Sequence, residues 1–177
     1  MKKYFVFVIA IVALVVMASG CTSQNGNNTT ATKAYSANGI SFNYPSDWSV
    51  INETANETIT GVITGDVSFN QSNGTKGNGL IVLKIPNNTN SSSEVTNIRK
   101  QFTNGTNSTI NVAGVSANMT SINASANNVT ALLKFVDFSK NNFIYLIQYT
   151  SVSNGTVTPE GIFDNITQSL QVSWTKI

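Results

Sequence analysis

The chain has 177 residues, only 10% of them charged, with ten Lys and Arg against eight Asp and Glu, one Cys and no His. Ordinary soluble domains carry roughly 25% charged residues, and here the small basic excess amounts to Lys2 and Lys3 at the N-terminus, so the composition offers no basic nucleic-acid-binding surface. The lone Cys and missing His exclude a disulfide framework, Ser-His-Asp and Cys-His catalysis, and His-ligated zinc.

The chain opens with Met1-Lys2-Lys3, an apolar run from Tyr4 to Met17, and the small residues Ala18-Ser19-Gly20 before Cys21. A charged region, an apolar region and a small-residue cleavage site are the parts of an export signal. Cysteine directly after them resembles the lipobox of lipoproteins, in which the thiol is alkylated by a lipid and becomes the first residue. The expectation is a signal peptide over 1–20 with Cys21 as lipidation site. The competing reading is an uncleaved anchor with an incidental thiol, although about 15 apolar residues are marginal for a span. Either way the domain lies outside the membrane. Removing residues 1–20 takes Lys2 and Lys3 with it and leaves eight basic against eight acidic residues, a formally neutral chain.

Residues 21–34 are rich in Asn, Thr, Ser and Gly and read as a flexible tether, with one domain over 35–177. Gly39 to Tyr44 alternates apolar and polar residues as a half-buried strand does. Pro45-Ser46-Asp47 reads as its turn and Trp48 to Ile51 as the returning strand. Ile59–Ile63, Val67–Asn70 and Leu80–Ile85 continue as strands, with a polar loop between Asn73-Gly74 and Asn78-Gly79, and Pro86 as a stop.

Ser91-Ser92-Ser93-Glu94 carries a capping box. Val95, Ile98 and Phe102 follow on one helical face, Arg99 and Lys100 suit the last turn, and Asn104-Gly105 reads as the stop. Two strands around Gly114 (110–115 and 117–122) precede the central hairpin, 129–138 and 143–149, turning at Lys140-Asn141-Asn142. Here Leu133 and Phe135 share one face, and Leu132, Val136 and Phe138 the other. In the partner, Phe143, Tyr145, Ile147 and Tyr149 oppose Ile144 and Leu146, so both faces of this hairpin are covered. Thr158-Pro159 opens a second helix with Ile162, Phe163, Ile166 and Leu170 as its buried stripe, and Val172–Thr175 is a last strand. The class is α+β: a central antiparallel sheet flanked by helices.

Fifteen Asn residues stand in Asn-x-Ser/Thr: 27, 28, 52, 56, 70, 73, 87, 90, 104, 107, 118, 123, 128, 154 and 165. With 25 Asn and 41 Ser and Thr in the chain, chance placement gives about six. These are candidate glycan acceptors on an exported surface, or the by-product of a composition rich in these residues. Asn52, Asn56, Asn73, Asn87, Asn104 and Asn154 are the acceptors singled out, and most sequons fall where loops are expected.

Tyr35-x-x-x-Gly39-Ile40-Ser41-Phe42-x-Tyr44-Pro45-x-x-Trp48 resembles the opening signature of the PsbP-like family, and Phe163-x-x-Ile166-x-x-Ser169-Leu170-x-Val172 its closing helix. The resemblance runs from Tyr35 to Trp174. It implies an α/β/α sandwich around an antiparallel sheet, and no catalytic residues. The family's best-known members help retain calcium and chloride at the oxygen-evolving photosystem. Metal binding in the family involves histidine, which this chain lacks.

The remaining candidates have bland explanations. Gly74-Thr75-Lys76-Gly77-Asn78-Gly79 lacks the phosphate-loop spacing and reads as a hairpin tip. Glu160 and Asp164 share a helical face but sit where acids complement the helix dipole. Glu53 and Glu57 read as a solvated loop, with weak calcium binding as the sharper alternative. Tyr44, Trp48, Tyr149 and Trp174 could stack sugars, yet aromatics at strand positions are more often core. The chain therefore reads as a membrane-anchored extracytoplasmic lipoprotein with a non-catalytic accessory or binding domain. It would hold the membrane through Cys21 and meet a protein partner at the cell surface, with no cofactor, metal site, catalytic residue or nucleic acid. The alternative is a glycosylated structural or adhesive component of the cell envelope.

Overall fold

The computed structural model describes residues 31–55, 65–73, 76–102, 104–126, 129–154 and 160–173. In chain order these form β1 (Thr32–Ala37), β2 (Ile40–Pro45), β3 (Ser49–Ala55), β4 (Gly65–Asn73), β5 (Lys76–Pro86), α1 (Thr89–Lys100), β6 (Thr106–Val112), β7 (Val115–Ala126), β8 (Val129–Lys140), β9 (Phe143–Asn154), α2 (Glu160–Ser169) and β10 (Gln171–Val172).

The strands make two sheets. Seven pair in the order β3-β4-β5-β9-β8-β7-β6, and three in the order β1-β2-β10. Every described pairing is antiparallel. Three hairpins turn through two residues with positive φ: Asn38-Gly39, Ala113-Gly114 and Asn141-Asn142. That geometry matches the right-handed twist of the flanking strands, and Asn and Gly adopt it most readily.

β9 is the middle strand of the large sheet, and its alternation builds two cores. Tyr145, Ile147 and Tyr149 face inward with Leu132, Val136 and Phe138 of β8 and Leu80 and Val82 of β5. Against them pack Tyr35, Ile40, Phe42 and Tyr44 of the small sheet and Phe163, Ile166 and Leu170 around α2. On the opposite face Ile144 and Leu146 join Phe135 and Ile85 beneath Val95 of α1 and Phe102 just beyond it. The face assignment read from the alternation of β8 and β9 holds residue by residue, as does the α2 stripe. Among the described residues the first cluster buries eighteen hydrophobic side chains against six in the second, and so contributes most of the apolar stabilisation, because area removed from water is worth roughly 25 cal/mol per Å².

Three expectations are corrected. The helix-flanked sandwich is only partly realised: the structure is mostly sheet with two short helices, and one face is covered by α2 together with a second sheet. The segment after Pro45 does not return onto β2. Trp48 lies between strands with its indole buried, and β3 crosses into the large sheet to pair with β4, while β2 takes β1 and β10. β1 starts at Thr32, so residues 32–34 of the expected tether are strand. The expected strand at 59–63 and the cap at Thr158-Pro159 lie outside the described residues.

Candidate functional site: a polar cleft beside the first helix

α1 starts one turn earlier than the capping box predicts. Asn88 is the N-cap; its Oδ1 accepts from the Ser91 amide at 3.0 Å and from Ser91 Oγ at 3.2 Å. Pro86 ends β5, and the Asn87 amide donates to the Asn142 carbonyl at 2.9 Å. Glu94 is thus inside the helix, and Ser91 is the buried capping partner rather than the cap. Arg99 and Lys100 occupy the last turn as expected.

Gly105 does not stop this helix, which ends at Lys100. Its role is a close approach: a Cβ there would stand 2.4 Å from Thr120 Cγ2. The chain can therefore drop from α1 straight onto β6. Phe102 stacks on Phe135, centroids 5.1 Å apart, and fixes the end of the helix over the sheet.

Between this end of α1 and the β6–β7 pair lies an open cleft of about 500 Å³. Arg99, Lys100 and Thr96 form one wall, Asn107 to Thr109 and Asn118 to Thr120 the other, and Phe102 part of the floor. Arg99 Nε donates to Asp137 Oδ1 at 3.1 Å, and its Nη2 pairs with the same oxygen. Asn118 Nδ2 donates to Asp137 Oδ2 at 3.4 Å, and Thr120 Oγ1 to Asn107 Oδ1 at 2.7 Å. The cleft offers hydrogen-bonding amides and hydroxyls, and positive charge. Sequence reading missed this grouping. The signal was Asp137, a carboxylate inside the apolar run of β8 and in phase with Phe135.

A second polar cluster is sealed in the inner core. Asn78 Oδ1 accepts from Tyr149 Oη at 3.3 Å and from Ser151 Oγ. Burial pushes the Tyr149 phenol up to about 12, the Ser151 hydrogen bond opposing the rise. Asn78 is buried within β5, so the expected hairpin tip over 74–79 is strand from Lys76 onward. Toward the other end of β5, Lys84 Nζ donates to the Asn38 carbonyl at 3.1 Å and sits 4.4 Å from the Phe143 ring centroid; desolvation lowers its pKa. Lys134 lies 4.6 Å over Phe163.

Of the residues singled out from sequence, the structure brings together Trp48 and Tyr149, and it does so inside the core. Trp48 stacks on Tyr149 and Tyr44 is buried, so these aromatics are core and form no sugar platform; Trp174 lies outside the described residues. Glu53 is on β3 and Glu57 lies outside the described residues. Glu160 begins α2, with Asp164 exposed one turn on. Cys21 and Asn56 also lie outside the described residues. Asn87 and Asn104 are exposed in loops. Asn52, Asn73 and Asn154 instead lie on β3, β4 and β9, so the expectation that most sequons fall in loops is corrected: Asn90, Asn107, Asn118, Asn123 and Asn165 are exposed on helices or strands. Among the described residues no three His, Cys, Asp or Glu gather in a metal-binding group, and no helix is long and apolar enough to cross a membrane.

Two antiparallel sheets with one helix on the outer face and one beside the smaller sheet define an α+β protein. The sequence matches the PsbP-like protein family over residues 6–172, and the chain belongs to that family. Among solved structures it is similar to a Bacteroides thetaiotaomicron protein, with 14% identity, a TM-score of 0.49 and coverage of 77% of this chain. The match spans 46% of that longer protein. It is also similar to LpqN of Mycobacterium tuberculosis, a protein involved in cell envelope biogenesis, with 15% identity, a TM-score of 0.49 and coverage of 82% of this chain and 92% of LpqN. No curated protein matches the chain.

Proposed function

We propose that this PsbP-like protein is an exported lipoprotein, fastened at the outer face of the cell membrane by a lipid on Cys21. Its domain serves there as a non-catalytic accessory module for a protein partner. The observation that carries this reading is Ala18-Ser19-Gly20-Cys21 following Lys2-Lys3 and an apolar run. Loss of residues 1–20 leaves a neutral chain, which suits a surface crowded with lipid headgroups of either charge. The combination of lipobox, dense sequons and no disulfides fits an archaeal cell surface.

The test is membrane fractionation and intact-mass measurement of the native protein and of Cys21→Ser. The native chain should partition with membranes, begin at Cys21 and carry a lipid mass increment; Cys21→Ser should be released or remain an uncleaved precursor. A cytosolic chain retaining residues 1–20 overturns the reading. For the accessory role, crosslinking in intact cells should join the domain repeatedly to one partner; random capture overturns it.

The sequon excess favours a second reading, a glycosylated structural or adhesive envelope component. Deletion should then weaken adhesion or envelope integrity without dispersing any one complex.

A further inference from the structure

Among the described residues the seven-stranded sheet ends at β6; α2 packs against this strand, yet its first four residues, Thr106 to Thr109, are all exposed. An open edge is a template for pairing with another chain, and proteins blunt it with charge, proline or a bulge. β6 has none of these. It contains no charged residue or Pro, neither does β7, and their register runs unbroken from Thr106↔Ser121 to Val112↔Val115. What β6 carries is the sequon Asn107-Ser108-Thr109.

We propose that Asn107 is N-glycosylated and that the glycan is the guard of this edge. The amide is positioned for it: Oδ1 accepts from Thr120 Oγ1 at 2.7 Å, so the oxygen is engaged while Asn107 lines the cleft. Asn107, Ser108 and Thr109 are exposed, so the hydroxyl that a glycosyltransferase must read is accessible in the folded protein. The neighbouring sequon at Asn118 differs on both counts. Its Nδ2 donates to Asp137, and its Thr120 is 4% exposed. The open cleft of about 500 Å³, walled by Arg99, Lys100 and amide side chains, receives the first sugars.

The reaction uses a polyprenyl-phosphate-linked oligosaccharide as donor. Asn107 Nδ2 attacks the anomeric carbon of its first sugar and the C1–O bond breaks. The lipid phosphate departs with the bonding pair, and one amide proton passes to a base of the transferase. Because the donor works outside the cytoplasm, the inference rests on the export reading, and one preparation separates the two.

The experiment is glycopeptide mass spectrometry on the full-length protein isolated from the membranes of its own cells, with Thr109→Ala as the variant. Thr109→Ala removes the sequon and keeps the Asn107–Thr120 bond. Sugar on Asn107, a bare Asn118 and a sugar-free Asn107 in Thr109→Ala are expected. A bare Asn107 on a lipidated, membrane-bound chain overturns the site and leaves export standing; a cytosolic chain overturns export itself. Sedimentation of detergent-solubilised protein then tests the guard: Thr109→Ala should self-associate at least tenfold more tightly than the glycosylated chain. Equal monomer content in both overturns it.

Discussion

The indole of Trp48 lies parallel to the ring of Tyr149, with centroids 6.5 Å apart and planes 9° apart. Trp48 belongs to the short link between β2 of the small sheet and β3 of the large one, while Tyr149 is on the middle strand of the large sheet. The stack therefore joins the point where the chain changes sheets to the centre of the core, and Tyr149 is itself tilted against Phe163 of α2 at 5.6 Å. At 1% exposure Trp48 is among the largest buried side chains. Trp48→Ala is expected to cost about 3–5 kcal/mol, the range for deleting a buried aromatic. Urea denaturation followed by far-ultraviolet circular dichroism measures it. A loss under about 1 kcal/mol would place the indole outside the core.

Much of this arrangement was legible in the sequence, and the residues show why. β8 and β9 are long and apolar on both faces, so period-2 alternation sorted Leu133 and Phe135 from Leu132, Val136 and Phe138 without any tertiary information. The stripe of α2 was equally readable from its 3.6-residue period. Trp48 misled because local pattern cannot say which sheet a strand will join. A turn at Pro45-Ser46-Asp47 is compatible with folding back or crossing over, and only burial of the indole against Tyr149 decides. The cleft was hidden for the same reason. Arg99 and Asp137 are 38 residues apart, and nothing in either local sequence points to the other. Asn88 is hidden as a cap in the sequence because Ser91 and Glu94 match a stronger motif one turn later.

Gly105 and Gly161 make a paired test of backbone space. A methyl at Gly105 meets Thr120 Cγ2 at 2.4 Å, Ile122 Cγ1 at 3.0 Å and the Ser121 carbonyl at 3.1 Å. Thr120 is buried and bonded to Asn107, so it has little room to yield. Gly105→Ala is expected to destabilise by about 1–3 kcal/mol, as overpacking does. Gly161, in the first turn of α2, meets nothing within 4 Å among the described residues. Gly161→Ala should be neutral or stabilise by about 0.5 kcal/mol through helix propensity. Thermal unfolding of both variants checks the pair, and equal shifts would remove the steric account of Gly105.

The Arg99–Asp137 pair joins α1 to β8 and is one-sided: the Arg side chain is 40% exposed and the Asp side chain 10%. Solvent screens the guanidinium, so the ion pair by itself is worth little. More depends on the near-buried carboxylate, which Arg99 and Asn118 together satisfy. Arg99→Met is therefore expected to cost more than an exposed pair would, about 1–2 kcal/mol, because it strips donors from Asp137. In Arg99→Met with Asp137→Leu the loss should be smaller than the sum of the single losses. A double-mutant cycle in urea measures the coupling, and additivity would show that the two side chains act independently.

Tyr145 and Tyr149 fix the behaviour of the fold in base. Burial pushes both phenols up to about 12 from an ordinary value near 10. A raised folded value means the native state keeps a proton that the unfolded chain has released. Stability is thus full below about pH 10 and falls as pH climbs toward 12, by about 3 kcal/mol per ring. Lys84 works in the opposite sense: its lowered value makes the native state release its proton first, so its contribution rises with pH up to its unfolded value near 10.5. The Lys84 contribution no longer changes above its unfolded value, so there the two phenols decide, and base-induced unfolding is expected between about pH 10 and 12, read as tyrosinate absorbance rising together with loss of circular dichroism. Tyr145 adds a sharper test. Its Oη has no hydrogen-bond partner among the described residues, whereas Tyr149 Oη donates to Asn78. Tyr145→Phe should then be neutral or stabilising at neutral pH, Tyr149→Phe should cost about 1 kcal/mol, and either should move the basic transition upward. A Tyr145→Phe loss as large as that of Tyr149→Phe would mean that the phenol of Tyr145 is held after all.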